Sequence, residues 1–469
     1  MRIDPRGAAA QSLQKPHPTG TRVRLGEKIP YILALIFLAL ALAAAAPPVQ
    51  ATEAPTGKDD REAQAVTGPV NFDRAVRLAL VRSPFFTKSS LEIEVKRLDE
   101  KDSKFDLLPP VTFRTQYYVD QPADVSGRPY SLNFISSNYN PVESYFTLQA
   151  RKLLTQIAAL AHMQVISEGI RKLAKMFLEM EALNQAAARQ DHLIDLARQN
   201  LLFVQKRLHL GTITSLEIKV AEQELAGAQA EKERIIYSQN RLQENVRAFI
   251  GLKAGQPLEL DFKDARRQVM GAFDAGAASL EQAKARSYEL KIAALKKELQ
   301  NYHILLAKAR LLPSFFIGAQ SPDPLASNSR GLFFSVGLEV PVWDGFKRLR
   351  NISRQKTILR QFEAETHEKE IGLAGQWQEA LESVRVADVS RKSAQVQEEL
   401  ARLKERQCEI RYHSGGEPLA VYLDGRKVLA EAQKNTFLKN LDYDLALIKL
   451  RQLSGDLDGS YVDASSWQQ

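Results

Sequence analysis

The stretch RLHLGTITSLEIKVAEQELAGAQ, which starts at Arg207, has a counterpart in RYHSGGEPLAVYLDGRKVLAEAQ, which starts at Arg411. Each runs Arg, an apolar or aromatic residue, His, one further residue and Gly, then a loose turn and a helix closing on Leu-Ala-x-Ala-Gln. The offset is constant at 204 residues, from Arg207 to Arg411, Gly211 to Gly415 and Leu225 to Leu429. It also joins Ser83 to Ser287, the Leu-Leu-Pro ending at Pro109 to the one ending at Pro313, and Gly251 to Gly455. Units of about 200 residues are far longer than solenoid repeats. The chain must therefore fold as two like halves that keep one common geometry.

Each half carries the same order of elements. A helix of about 25 residues runs from Ser83 or Ser287 towards Leu-Leu-Pro, where proline stops it. Two strand candidates follow, then a very long helix, the glycine turn, and a shorter helix ending at Gly251 or Gly455. The first long helix opens on Asn140-Pro141-Val142-Glu143, which supplies an N-cap, a proline at N1 and a glutamate at N3. In the second half Asp344 is the expected cap. A helix from 141 to 209 is about 100 Å long at 1.5 Å per residue. Ile194, Ala197, Leu201, Val204 and Leu208 step by three and four, as coiled-coil seams do. So, with some polar steps, do Leu225, Ala228, Ile235, Leu242, Val246 and Phe249. The glycine turn then becomes the tip of a long antiparallel hairpin. Helices 83–107 and 216–251, stacked end to end, would flank most of the long one.

In VTFRTQYYV, from Val111, and LFFSVGLEV, from Leu332, apolar residues alternate with polar or small ones over nine residues. That length and pattern suit a strand of an outer-membrane barrel. The companions YSLNFIS, from Tyr130, and SFFIGAQ, from Ser314, alternate less well, because Ile135 and Phe316 interrupt them. Loops at 120–129 and 321–331 would be exposed turns. Four strands cannot close a barrel, and open edges cannot face lipid. Strands in a membrane would require several chains to share one barrel.

The N-terminus carries the apolar run YILALIFLALALAAAA behind Arg22, Arg24 and Lys28 and ahead of Val49-Gln50-Ala51. It is too short to span a bilayer and reads as a secretory signal, residues 1–51, with a linker at 52–70. Without it the formal charge falls from +8 to +4, which gives no nucleic-acid footprint. Cys408 is the single cysteine, so an intrachain disulfide is excluded, and no cysteine follows the expected cleavage site to take a lipid anchor.

NFDRAVRLALVRSP, the two Leu-Pro strand starts, LEVPVWDGFKR, the paired RLHLG and RYHSG turns and the terminal Leu-x-x-Leu-Ser-Gly stand in one duplicated order. Together they resemble the TolC-like outer-membrane efflux family over about 70–455. Asn140-Pro141 replaces that family's usual Asp-Gly helix start. The resemblance implies a mainly α fold with a transmembrane β-barrel contribution. A homotrimer would form a twelve-stranded barrel continued by a periplasmic α-barrel. It places the first repeat at 71–262, an equatorial segment at 263–278, the second repeat at 279–455 and a tail at 456–469. An equatorial band would draw on 252–279 and the tail. It further implies a passive exit duct of a tripartite efflux or type I secretion system, without cofactor or catalytic residues. Its partners would be outer-membrane lipid, a periplasmic adaptor and an inner-membrane pump or ABC transporter.

For the tip, the resemblance carries the docking pattern onto Arg207, Gly211, Arg411 and Gly415, where turn geometry alone is the competing reading. For an iris-like gate it carries Tyr412 and Asp424. Glu417 stands at the usual basic position and Val421 at the second aspartate position, so the closed-state bonds cannot be the usual ones. Asp424 also reads as an ordinary solvated helix carboxylate. Glu217 and Lys219 are weaker gate candidates. His209 and His413 lack an i,i+4 partner and read as helix C-terminal caps rather than metal ligands. Trp343 reads as an interface aromatic ending a strand, and Cys408 as packing. A periplasmic coiled-coil adaptor or spacer is the alternative function. It would share the signal and the hairpins but would have no need of amphipathic strands.

Overall fold

In the computed structural model, residues 68–461 are described apart from 111, 118–129, 213, 253–258, 263, 272, 274, 275, 277, 322–332, 341, 458 and 460. Residues 1–67 lie outside the described residues, so the signal-peptide expectation falls there. Of the expected strand-turn loops, 120–129 and 321–331, all but Ser321, the last residue of a strand, also lie outside them.

Helix α1, Phe72–Arg82, starts where the Asn71 side chain accepts the Arg74 N–H. Ser83 is held extended because it precedes Pro84, and α2, Pro84–Phe105, follows with proline at N1. Strands β1, Thr112–Tyr117, and β2, Tyr130–Tyr139, lead into α3, Pro141–His209. The Asn140 carboxamide accepts the N–H groups of Val142 and Glu143, as its sequence requires. Helix α4, Ser215–Ile250, returns along α3 and ends on left-handed Gly251. After the short helices α5, Ala265–Met270, and α6, Leu280–Arg286, the order repeats. It runs α7, Tyr288–Ala309; β3, Ser314–Ser321; β4, Phe333–Glu339; α8, Lys347–His413; and α9, Leu419–Leu453.

Two expectations shift. Helix α8 begins after Phe346, which takes φ 60°, and Asp344 lies outside the boundary. Its carboxylate still accepts the Arg348 N–H at 3.0 Å, so it satisfies a first-turn donor from further upstream. Trp343 does not end a strand: the last ladder residue of β4 is Glu339.

The end-to-end stacking has a specific joint. Gly251, closing α4, sits against Arg82 at the α1–α2 break, where an added Cβ would lie 2.5 Å from the Arg82 carbonyl oxygen. Gly455, after α9, sits against Arg286 at the α6–α7 break in the same way, at 2.7 Å from the Arg286 Cβ. Arg82 and Arg286 keep the repeat offset. So do the buried Ala79, Leu173 and Val246 relative to the cluster Ala283, Trp377 and Leu450. Each copy thus builds the same small core near the middle of its long helix.

Phe85, Phe86 and Phe249 pack together at the first joint, with ring centroids 5.3–5.9 Å apart. The Phe86 ring lies on Gly169 of α3, which has no Cβ to obstruct it. Phe86→Ala should cost about 3–5 kcal/mol in a denaturant melt. Leu290→Ala, at the corresponding and only half-buried position, should cost visibly less. Equal losses would mean the aromatic joint contributes nothing special.

The four described strands form one antiparallel sheet in the order β1-β2-β3-β4, so the repeats join at β2–β3 and β1 and β4 are its edges. On one face Phe315 opposes Leu338 and Ile317 opposes Val336, all four exposed. On the other, the Phe316 ring lies across Gly337, and Ser335 Oγ donates to the Gly318 carbonyl at 3.4 Å. Phe316, an apparent break in alternation, is therefore a large residue covering a glycine across the ladder.

Candidate functional site

Both hairpin tips are built by one device. At the end of α3 the Gly211 N–H bonds the Leu208 carbonyl at 2.8 Å, and the Thr212 N–H bonds that of Arg207 at 3.1 Å. At the end of α8 Gly415 bonds Tyr412 at 3.0 Å and Gly416 bonds Arg411 at 2.8 Å. These are Schellman closures, in which the glycine adopts a left-handed conformation, here φ 68° and 77°. The arginine supplies the carbonyl three residues from the helix end, and the histidine is the last helical residue, beside the negative end of the helix dipole. The repeated Arg-x-His-x-Gly spacing is thereby explained by backbone hydrogen bonding.

Glu217 also has a local task. Its carboxylate accepts the Thr214 N–H at 3.5 Å in a capping box at the start of α4. The sequence Thr214-Ser-Leu-Glu217 signals this. Lys219 is exposed on the next turn. At the second tip Arg411 Nη1 donates to Glu417 Oε1 at 2.8 Å, an ion pair that raises the arginine's proton affinity. Tyr412 stacks on Tyr422 of α9, with centroids 5.4 Å apart and planes within 5°. The Arg426 guanidinium lies 5.8 Å from the Tyr422 ring. Asp424 is exposed, without an ion-pair partner among the described residues. Val421 is exposed beside it, and Cys408 of α8 packs against Gly425. The second-tip candidates therefore gather in one turn, with Asp424 further along α9. Among the described residues no hydrogen bond or ion pair connects them to Arg207, Gly211 or Glu217.

The two hairpins do meet along their flanks. Lys427 pairs with Glu224 at 3.3 Å and Lys434 with Glu231 at 3.0 Å, one heptad apart on each helix. Arg426 Nη2 donates to His192 Nε2 of α3 at 3.4 Å; burial first, and then Arg426, hold that imidazole below its usual proton affinity. The Glu231 carboxyl is held down to about 2, chiefly by the Arg234 guanidinium and further by Lys434. These links were missed in the sequence reading. Their signal was the seven-residue spacing of two glutamates and two lysines, partners lying 203 residues apart, close to the repeat offset.

Halfway along α3 the connecting segments form a waist. Val70 bridges Leu260 in parallel, and Phe177 packs between Phe72 and Phe262. Tyr461 donates to Asp73, and Arg451 donates to the Val269 carbonyl. Asp444 of α9 is buried against Arg266, with Oδ2 2.9 Å from Nε. Burial pushes its carboxyl up to about 6 despite the guanidinium. Glu181 of α3 accepts the Arg266 N–H at 3.2 Å and is likewise raised, mainly by burial.

The outer membrane efflux protein family model matches residues 279–456, which are the second repeat. Residues 279–456 belong to that family. Solved structures extend the likeness, in fold, to the first repeat of this chain. A membrane protein from Pseudomonas aeruginosa aligns with TM-score 0.69 and 16% identity over 82% of this chain and 90% of that one. The Campylobacter jejuni CmeC outer membrane channel gives 0.69 and 14% over 84% and 88%. The open state of the Neisseria gonorrhoeae MtrE outer membrane channel gives 0.68 and 14% over 82% and 89%. No curated protein sequence matches this chain. The fold is that of TolC-like outer-membrane channels, mainly helical, with a small sheet at one end of long hairpins.

Proposed function

We propose that this chain is one of three subunits of an outer-membrane exit duct. In this reading it passively passes substrates delivered by an inner-membrane pump or ABC transporter through a periplasmic adaptor. The observation that carries the reading is the four-stranded sheet, with both edges unpaired among the described residues and the apolar β3–β4 face exposed, mounted on hairpins about 100 Å long. A spacer protein has no use for such a sheet. Three copies would supply twelve strands and remove every edge, as lipid demands. A hollow helical shaft would continue the barrel, with the waist as its equatorial band. The duct does no chemistry on its cargo. Single-channel recording in planar lipid bilayers tests the reading: discrete conductance steps support it, and protein that never inserts contradicts it.

The tips would form the closing end, with Arg207, Gly211, Arg411 and Gly415 in the turns that meet the adaptor. Closure would rest on the Glu224–Lys427 and Glu231–Lys434 ladder, which ties the hairpins together, rather than on the family's usual tip network. Lys427→Glu with Lys434→Glu should therefore raise mean conductance several-fold, and adding Glu224→Lys with Glu231→Lys should restore it. Because Glu231 stays ionised down to about pH 2, the Glu231–Lys434 pair should survive acidification to pH 4. Three copies of Asp424 at a narrow axis would favour cations. Asp424→Ala should then lower cation selectivity, and unchanged selectivity would remove Asp424 from the gate.

A further inference from the structure

Where β4 passes into α8, the surface is apolar, strained and cationic at once. The alternate positions Val336, Leu338, Val340 and Val342 are all exposed, Val342 to 91%. Trp343 is 76% exposed and meets Phe346 edge-on, with centroids 5.1 Å apart. Phe346 is held at φ 60°, which costs a non-glycine residue about 1 kcal/mol, yet its ring is not buried by the chain. At the same end of the sheet the exposed Leu108 and Leu312 precede the starts of β1 and β3.

The first four turns of α8 then carry Lys347, Arg348, Arg350, Arg354, Lys356 and Arg360, with no acidic residue before Glu363. Only Arg348 is engaged, by Asp344 at 3.6 Å and the Arg310 carbonyl at 2.7 Å; the other five have no acidic partner among the described residues. Cations at a helix N-terminus oppose the helix dipole, so within the chain this arrangement is unfavourable. An apolar step continuous with the exposed sheet face, followed at once by unpaired cations, matches the boundary between acyl chains and anionic headgroups.

We propose that the β4–α8 junction binds the periplasmic-side leaflet of the membrane, with Val342, Trp343 and Phe346 at acyl-chain level and Lys347, Arg350 and Arg354 on the phosphates of anionic phospholipid. The inference rests on the membrane reading above. Lipid contact here would fix the depth of the barrel and resist axial pull on the shaft.

The test uses the full mature chain in proteoliposomes of phosphatidylcholine containing either brominated phosphatidylglycerol or brominated phosphatidylcholine. Trp343 emission is taken as the difference between wild type and Trp343→Phe. Its emission should be quenched, and more strongly by the brominated phosphatidylglycerol. Lys347→Gln with Arg350→Gln and Arg354→Gln should abolish that preference and keep the quenching. Absent quenching of Trp343, or quenching indifferent to headgroup, overturns the proposal. Val336→Trp in the Trp343→Phe background, a reporter on the sheet face itself, separates the two readings. If that reporter is quenched and Trp343 is not, the junction proposal alone fails; if neither is, the membrane reading fails with it.

Discussion

Gly251→Ala should destabilise the protein by about 3 kcal/mol or more, and Gly455→Ala by a similar amount. Left-handed backbone costs an alanine about 1 kcal/mol wherever it occurs. At Gly251 the new methyl would also press on backbone, 2.5 Å from the Arg82 oxygen and 2.9 Å from its carbon, which cannot rotate away. At Gly455 the obstruction is the Arg286 side chain, whose Cβ is fixed although its outer atoms can move. Gly211 and Gly415 are the internal controls. Both have positive φ, and neither would bring a Cβ within 4 Å of anything, so alanine should cost only about 1 kcal/mol there. Apparent melting temperatures of the four variants give the order. Equal losses at all four would mean that the joints at Arg82 and Arg286 are not the constraint.

The second large effect lies at the waist. Asp444 is raised to about 6 in the folded chain against an ordinary value of 3.8. The folded state therefore binds its proton more tightly than the unfolded state does. Its favourable contribution is fully present below about pH 4, fades as pH rises to about 6, and is absent above that, a swing of about 2–3 kcal/mol. The facing groups are Arg266 of α5, Glu181 of α3 and Arg391 of α8, the last also 4.2 Å from the Tyr443 ring. Asp444→Asn should flatten the dependence of melting temperature on pH between 4 and 7 relative to wild type. Arg266→Ala should cost about 3–5 kcal/mol at pH 7.5, by leaving a buried carboxylate without its guanidinium, and clearly less at pH 5. A wild type and Asp444→Asn pair with parallel pH curves would contradict this account.

The duplication made much of this architecture readable, because an offset that survives at turns, caps and strand starts reports shared geometry. Asn140-Pro141 and the glycine turns were legible because their chemistry is local. The start of α8 was misplaced by two residues: Asp344 has the right side chain, but the Gly345-Phe346 turn lets it reach the Arg348 N–H from outside the helix. Glu217 was weighed as a gate residue although Thr214-Ser-Leu-Glu217 has the capping-box pattern that the structure completes. The Phe86–Gly169 contact and the buried Asp444 could not be read, since they depend on which helices lie side by side. So does the Glu–Lys ladder, whose spacing was visible but whose pairing was not.

The mass of the detergent-extracted, signal-free protein, taken before and after heating, bears most directly on the claim that this chain is an incomplete sheet finished by its own copies. The account predicts an assembly of three chains that falls to one on boiling, with sheet signal retained only while the assembly is intact. A monodisperse single chain, stable in buffer without detergent and with its sheet unchanged, would contradict it.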